Sequence, residues 1–406
     1  MAAPKLRFKE FDGDWVKTNF GKVASHISYG LTVRPEYIEN GIKLISAREI
    51  STGNIDFDNA PKISISDFML LSDKAKPQKY DLFLSKTGSI GFTSIVETDE
   101  KFAITQNIAN IRLNNLSEQD PYFFLQQMRT TSFQLKAISV VNQSTIMDLQ
   151  LGDIKKLEIG YPSKEEQTKI ASFLSNVDEK ISQLTQKHAL LSQYKQGMMQ
   201  KLFSQQIRFK ADDGSEFGEW EDKPLNEIAS KRSGKNKDGS ISEVLTNSAT
   251  QGIIKQSDYF EREIVTESNL NGYYIVNLDD FVYNPRISVH APVGPIKRNK
   301  KCLGVMSPLY TVFTVSEGNL AYLEYFFDSN FWHDYVKGVA NSGARHDRMN
   351  ITNKDFFDMP IFYPCLEEQT KIANFLSSID QKIEVVAQQI EQAKTWKKGL
   401  LQQMFV

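Results

Sequence analysis

The chain has 406 residues, is 40% hydrophobic and 24% charged, and carries a formal net charge of −2 with a pI near 6.3. This composition fits a soluble globular protein of two to three domains, and the near-neutral charge argues against a protein that simply coats nucleic acid. No apolar run approaches the roughly 18 residues of a membrane span. The polar start MAAPKLRFKEFDGDW is no signal peptide, and two cysteines, Cys302 and Cys365, exclude a disulfide framework and point to a reducing, cytoplasmic setting.

The first globular segment, residues 1–161, opens with Leu6-Arg7-Phe8-Lys9 and Gly13-Asp14-Trp15. Strands are predicted at Ile42–Ile45, Tyr80–Ser85 and Ile108–Leu113, and a helix over Pro121–Gln134. The polar loop Ser85-Lys86-Thr87-Gly88-Ser89-Ile90-Gly91 follows the second of these strands. Pro162 ends the segment; Ser163 with Glu166 then makes a capping box.

The next stretch, 162–206, reads as one long helix. Ile170, Leu174, Val177, Ile181, Leu184, His188, Leu191, Lys195, Met198 and Leu202 follow alternating steps of four and three, the signature of a helix that pairs along a narrow seam. The second segment, 207–363, opens as the first does, with Ile207-Arg208-Phe209-Lys210 and Gly218-Glu219-Trp220. Strands are predicted at Asp280–Tyr283 and Leu309–Val315, and a helix over Leu320–Lys337. The last stretch, 364–406, repeats the long helix, with Ile372, Leu376, Ile379, Ile383, Val386, Ile390, Ala393, Lys397, Leu400 and Met404 in the same register. From Glu165/Glu367 to Phe203/Phe405 the two copies align without a gap at an offset of 202, and 18 of the 39 pairs are identical.

The order segment–helix–segment–helix predicts two mixed α/β domains joined by two long antiparallel coiled-coil helices, with pseudo-twofold symmetry inside one polypeptide. Lys195 and Lys397 interrupt the stripe at equivalent places, and replacing both with Leu is expected to stabilise the helix pair.

Catalytic patterns are absent: no phosphate-binding GxxxxGK[ST], no G-x-G-x-x-G after a strand, no HExxH, GxSxG or CxxC. His26, His188, His290, His333 and His346 lack metal-ligand spacing. Asp212-Asp213 and Asp279-Asp280 read as solvated turn residues. Tyr283-Asn284-Pro285-Arg286 resembles the Asn-Pro-Pro-aromatic motif of adenine N6-methyltransferases, but lacks the second proline, the aromatic and any accompanying glycine-rich loop.

Polar loops recur at matching places in the two halves. Lys86, Thr87, Gly88 and Ser89 in the first half correspond to Asn284, Arg286, Ser288 and His290 in the second. Asn142-Gln143-Ser144-Thr145 matches Arg345-His346-Asp347-Arg348 to within one residue of the repeat offset. Glycines allow close backbone approach, hydroxyls and lysines contact phosphates, Arg suits guanine and Asn suits adenine. Lys297 and Arg298 begin a basic run suited to phosphate. Alone, each loop reads as an ordinary turn; it is their pairing that suggests two related domains reading different sequences.

The RFK…GxW openings, the SKTGSIG loop and the twice-repeated P-x(2)-EEQ-x-KIA-x-FL-x(3)-D-x-KI, each ending in K-x-G-x(2)-Q-x(2)-F, resemble the specificity subunit of type I restriction-modification systems. The resemblance covers the whole chain. It implies two target-recognition domains that each read one half of a split, asymmetric site in double-stranded DNA, and two helices that set the gap and dock two modification subunits. Those partners would hold S-adenosylmethionine and methylate adenine, and two restriction subunits would use ATP and Mg. This chain itself would be non-catalytic, without cofactor or metal. A pseudo-dyad would set the half-sites about one helical turn apart. Two other readings stand beside it: a coiled-coil scaffold with two protein-interaction domains, and a standalone DNA methyltransferase.

Overall fold

Ala24–Tyr29, Leu82–Ser85, Thr93–Ile95 and Ile108–Leu113 are short, largely apolar strands that pair antiparallel into one four-stranded sheet. In spatial order the first strand neighbours the last, which neighbours Leu82–Ser85, with Thr93–Ile95 at the edge. The second half repeats the plan with Ala229–Lys231, Thr311–Val315, Phe281–Tyr283 and Ile296–Arg298, again antiparallel and in the same order. The computed structural model describes residues 4–141, 147–259, 267–341 and 347–405.

Each half closes on itself before its long helix begins. Val16–Asn19 pairs antiparallel with Glu158–Tyr161, and Glu221–Pro224 with Pro360–Tyr363. The strands just upstream of Pro162 and Pro364 are thereby fixed to the entry of their own domain. The halves diverge in the inserts after the first sheet strand. The first builds a sheet from Tyr37–Ile38, Lys62–Ile63, Ile42–Ile45 and Ala103–Ile104, whose last pair is parallel; the second builds two antiparallel two-stranded ribbons, the hairpin Leu245–Ser248 with Gly252–Lys255 and the longer-range pair Tyr274–Val276 with Gly304–Met306.

The aromatic helices are each broken where the sequence suggested one. Pro121–Met128 and Thr131–Ser139 are separate because Thr130 caps the second, its Oγ1 accepting from Phe133 N. Leu320–Asp328 stops at Ser329 and His333–Val339 follows, with Trp332 buried in the bend.

The predicted long helices are Lys164–Phe203, 40 residues, and Leu366–Gln403, 38 residues. Two compact units result: one runs to Gln186 and takes in the chain from Ala387 onward, the other spans Lys187–Val386. Each unit thus contains one sheet domain, the opening of its own helix and the closing turns of the other. In the first unit Leu6 N donates to Gln403 O while Arg7 grips Glu166, so the end of one helix meets the start of the other and the segments run antiparallel. In the second, Ile207 N bonds Lys201 O and Arg208 holds Glu368.

Of the seam residues, Ile170, Leu174, Val177, Leu184, Ile372, Leu376, Ile379, Val386 and Ile390 are buried, and Ile181, Leu191 and Ile383 half-buried. Ile170, Leu174 and Val177 share a core with Leu400, Met404, Phe405 and the sheet residues Leu82 and Leu84. Ile372, Leu376 and Ile379 share one with Leu202, Phe203 and Phe281.

The repeated EEQTK is structural. Glu166 does not complete a capping box; its buried carboxylate takes two bonds of 2.7 Å from Arg7. Glu368 does the same with Arg208 and also accepts from Trp220 Nε1 at 2.9 Å. Gln167 and Gln369 accept from Asp120 N and Asn319 N, the caps of the first aromatic helix in each half. The RFK opening and the EEQ helix start are therefore two sides of one clasp, made twice. Asp280, expected in a solvated turn, is buried and bound by Arg232, just as Asp81 is bound by Arg112.

Candidate nucleic-acid interface

The interface candidates grow from the inner strands Leu82–Ser85 and Phe281–Tyr283, each entered through a residue with positive φ, Tyr80 at 74° and Asp279 at 70°. In the first unit the chain leaves its strand through a loop closed at its base. Ser85 Oγ donates to Ser89 O and accepts from Phe92 N, and Gly91 N donates to Ser85 O at 3.1 Å. Gly88 has φ 77°, the left-handed region that glycine enters without cost, with open space where a side chain would project.

The arms of this loop are held by residues 147–149. Thr87 and Asp148 form an antiparallel bridge, flanked by Gly88 N to Met147 O at 3.0 Å and Leu149 N to Lys86 O at 2.7 Å. Asp148 accepts from Lys86 Nζ at 2.6 Å and Thr87 Oγ1 at 2.5 Å. Burial opposes ionisation of this carboxyl, but the bonds from Lys86 and Thr87 outweigh it and hold the group below the ordinary range. Lys86 is therefore buried and ion-paired, while Ser89 and Gly88 face outward.

The second unit makes the same junction with other chemistry. Arg286 bridges Arg348, with Ile287 N to Asp347 O at 3.0 Å and Met349 N to Pro285 O at 2.9 Å. Both arginines lie near Asp347, at 4.0 Å and 3.5 Å, which leaves one cation in excess among the three. Arg286 is exposed and Arg348 largely covered. Asn284 is engaged in scaffolding: its Nδ2 donates to Asn247 O and its Oδ1 accepts from Arg286 N, each at 3.0 Å. Ser288 and His290 are exposed on the hairpin that follows.

The structure thus brings Arg286 and Arg348 into one junction, with Ser288 on the hairpin beyond it, and Lys86, Thr87, Gly88 and Ser89 into its counterpart. Lys297 and Arg298 lie on the edge strand and are engaged by acids, Lys297 with Asp328 at 2.6 Å and Arg298 with Asp279 at 2.6 Å. Asn142, Gln143, Ser144, Arg345 and His346 lie outside the described residues. Among the described residues there is no group of three or more His, Cys, Asp or Glu placed to hold a metal, and no helix is long and apolar enough to cross a membrane.

The family model of the type I restriction modification DNA specificity domain matches the chain twice, over residues 32–193 and 218–395. The chain belongs to that specificity family. The chain is 28% identical over 424 residues to a protein described as the MjaX specificity subunit of Methanocaldococcus jannaschii, covering 98% of this chain and 94% of that one. It is 26% identical over 355 residues to the MjaVIII specificity subunit of the same organism, covering 84% and 78%. The fold is that of the S subunit from M. genitalium, with TM-score 0.57, 16% identity and coverage of 100% and 99%. A chain from a structure of type I complex assembly and conformational transition matches with TM-score 0.56 at 15% identity, over 96% and 97%.

Two acidic residues of this specificity subunit are central to the junctions, Asp148, which the sequence did not single out, and Asp347, which it placed in a polar loop without a role. Asp148 and Asp347 each sit on the second arm, one binding Lys86 and Thr87, the other facing two arginines. An isolated Asp in a polar run gives no signal of its own; only the fold sets it opposite a cation more than fifty residues away in sequence.

Proposed function

We propose that this specificity subunit recognises a bipartite, asymmetric double-stranded DNA site with a fixed gap, one half-site per unit. It docks two adenine N6-methyltransferase subunits through the long helices and, through them, two restriction subunits. It contributes no catalytic group: S-adenosylmethionine belongs to the modification subunits, and ATP and Mg to the restriction subunits. The observation that carries this reading is the doubled junction. At the same place on two sheets of identical strand order, a loop and a distant arm are joined by one antiparallel bridge, Thr87 with Asp148 and Arg286 with Arg348. One frame thereby presents two chemistries, hydroxyl and backbone in the first unit and guanidinium in the second. Different side chains on one frame read different base edges in the major groove.

Ser89 with the open backbone at Gly88 is the proposed reading surface of the first unit, and Arg286 with His290 that of the second. Lys86, Asn284, Lys297, Arg298 and Arg348 act by holding these surfaces in place. The test is a methylation map: the chain is co-expressed with its modification subunit in a methylation-free host, and N6-methyladenine is located by single-molecule sequencing. A split motif with constant spacing is expected. A soluble, co-purifying complex that adds no methylation would overturn the reading.

A further inference from the structure

Beyond Arg286 the second unit carries a feature that neither the repeat nor the sequence pattern singled out. Ser288 N donates to Ala291 O at 2.9 Å and Ala291 N returns a bond to Ser288 O at 3.1 Å, which closes a two-residue hairpin with Val289 and His290 at its tip. Val289 is 95% exposed, where the next most exposed of the described large apolar residues reach 67%. The backbone does not call for valine there. Tyr80, Gln205 and Asp279 are the described non-glycine residues with positive φ, so neither tip residue adopts the conformation that selects special turn residues.

The hairpin base is rigid. Asn284 N bonds Pro295 O at 2.9 Å and Tyr283 Oη donates to Val293 O at 2.9 Å. Gly294 N bonds Ala291 O, and Asn284 O lies where a side chain at Gly294 would have to go. The returning strand thus packs directly against the outgoing one.

A lone exposed apolar residue is ordinary on a protein surface. This one is set apart by its position, on a rigid two-stranded tip between exposed Arg286 and exposed His290. The major groove admits a two-stranded ribbon, and the apolar group it displays is the C5-methyl of thymine. Side chains that wedge between base steps are characteristically longer, such as Phe, Leu, Ile and Met. Resting on the DNA-recognition reading above, we propose that Val289 is a specificity-determining residue that packs against a thymine methyl in the half-site read by the second unit.

The test uses the complex of the full chain with its modification subunit, and duplexes in which each thymine of the mapped second half-site is replaced in turn by deoxyuridine, which lacks only the methyl. Wild type is expected to lose about fourfold in affinity at one position, the value of one buried methyl group. V289A should bind the thymine duplex more weakly and show no further loss with deoxyuridine at that position. The first half-site serves as the control for folding and assembly. An equal deoxyuridine penalty in V289A and wild type, no deoxyuridine penalty in wild type, or a second half-site without thymine on either strand would overturn the proposal. If the wild-type complex methylates no split site at all, it is the recognition reading that fails.

Discussion

The two units solve one structural problem with unequal means. In each, an arginine from the RFK opening meets a fully buried glutamate at the start of a long helix, Arg7 with Glu166 and Arg208 with Glu368. Glu368 has a further donor in Trp220 Nε1, whereas Trp15 Nε1 in the first unit is buried without a partner. The helix–domain contacts differ likewise. Asp178 accepts from Lys397 at 2.5 Å and Gln126 at 3.0 Å with Arg129 at 3.6 Å, while Asp380 accepts from Lys195 and the Tyr325 hydroxyl, each at 2.6 Å. The Arg–Glu and Lys–Asp pairs thus recur in both units, whereas the additional donors around each carboxylate are exchanged.

The clasp gives the largest expected effect. Arg7→Ala leaves Glu166 buried and uncompensated and should cost about 3–5 kcal/mol in unfolding free energy. Arg208→Ala should cost about 1 kcal/mol less, because Trp220 still donates to Glu368. Denaturant melts of the two variants measure the difference; a more damaged Arg208→Ala would break the comparison.

The lysines in the helix seam come next, and here the expectation from sequence is revised. Lys195 and Lys397 are not lone polar interruptions, since each is bound to an aspartate on the facing helix segment of its own unit. Lys195→Leu should therefore destabilise, by about 1–2 kcal/mol, as Asp380 loses its cation. Lys397→Leu should cost less, because Arg129 and Gln126 remain around Asp178 and burial already disfavours the charged ammonium. Thermal melts that rise for both single variants would restore the original expectation.

At the interface, Arg286→Ala should weaken binding about tenfold and relax the second half-site alone, within the range for a base-reading arginine. Ser89→Ala should act only on the first half-site and more weakly, since a hydroxyl makes a single uncharged bond. Methylation maps of both variants sharpen the assignment of unit to half-site; loss of both half-sites in either variant would contradict independent reading.

The smallest effect is local. The Asp148 carboxyl is held below its ordinary value of 3.8, so its contribution is present above that pH and is lost as pH falls through the lower folded-state value. Amide exchange at Gly88 and Leu149, taken relative to its intrinsic rate at each pH, should accelerate on acidification in that window. In Asp148→Asn it should be faster already at neutral pH and should no longer respond to that titration.

The sequence by itself determined the repeat, the two long helices and their seam, because a coiled-coil stripe and a helix start are local patterns with a fixed period. It also located the loops after Leu82–Ser85 and Phe281–Tyr283, since glycine, proline and polar runs after an apolar strand mark the point where a chain leaves a sheet. What only the tertiary structure decided is which of those polar residues are free. Lys86, Asn284, Lys297 and Arg298 look like DNA contacts as letters, yet each is bound to a partner within its own unit. Arg286, Ser288 and Val289 remain exposed. The breaks at Thr130 and Ser329 were equally hidden, because a cap inside an apolar run shows only once the chain has turned. The physical reason is the same throughout: helix periodicity depends on residues three and four apart, whereas the pairing of a buried charge depends on groups that only the folded backbone brings within hydrogen-bond distance.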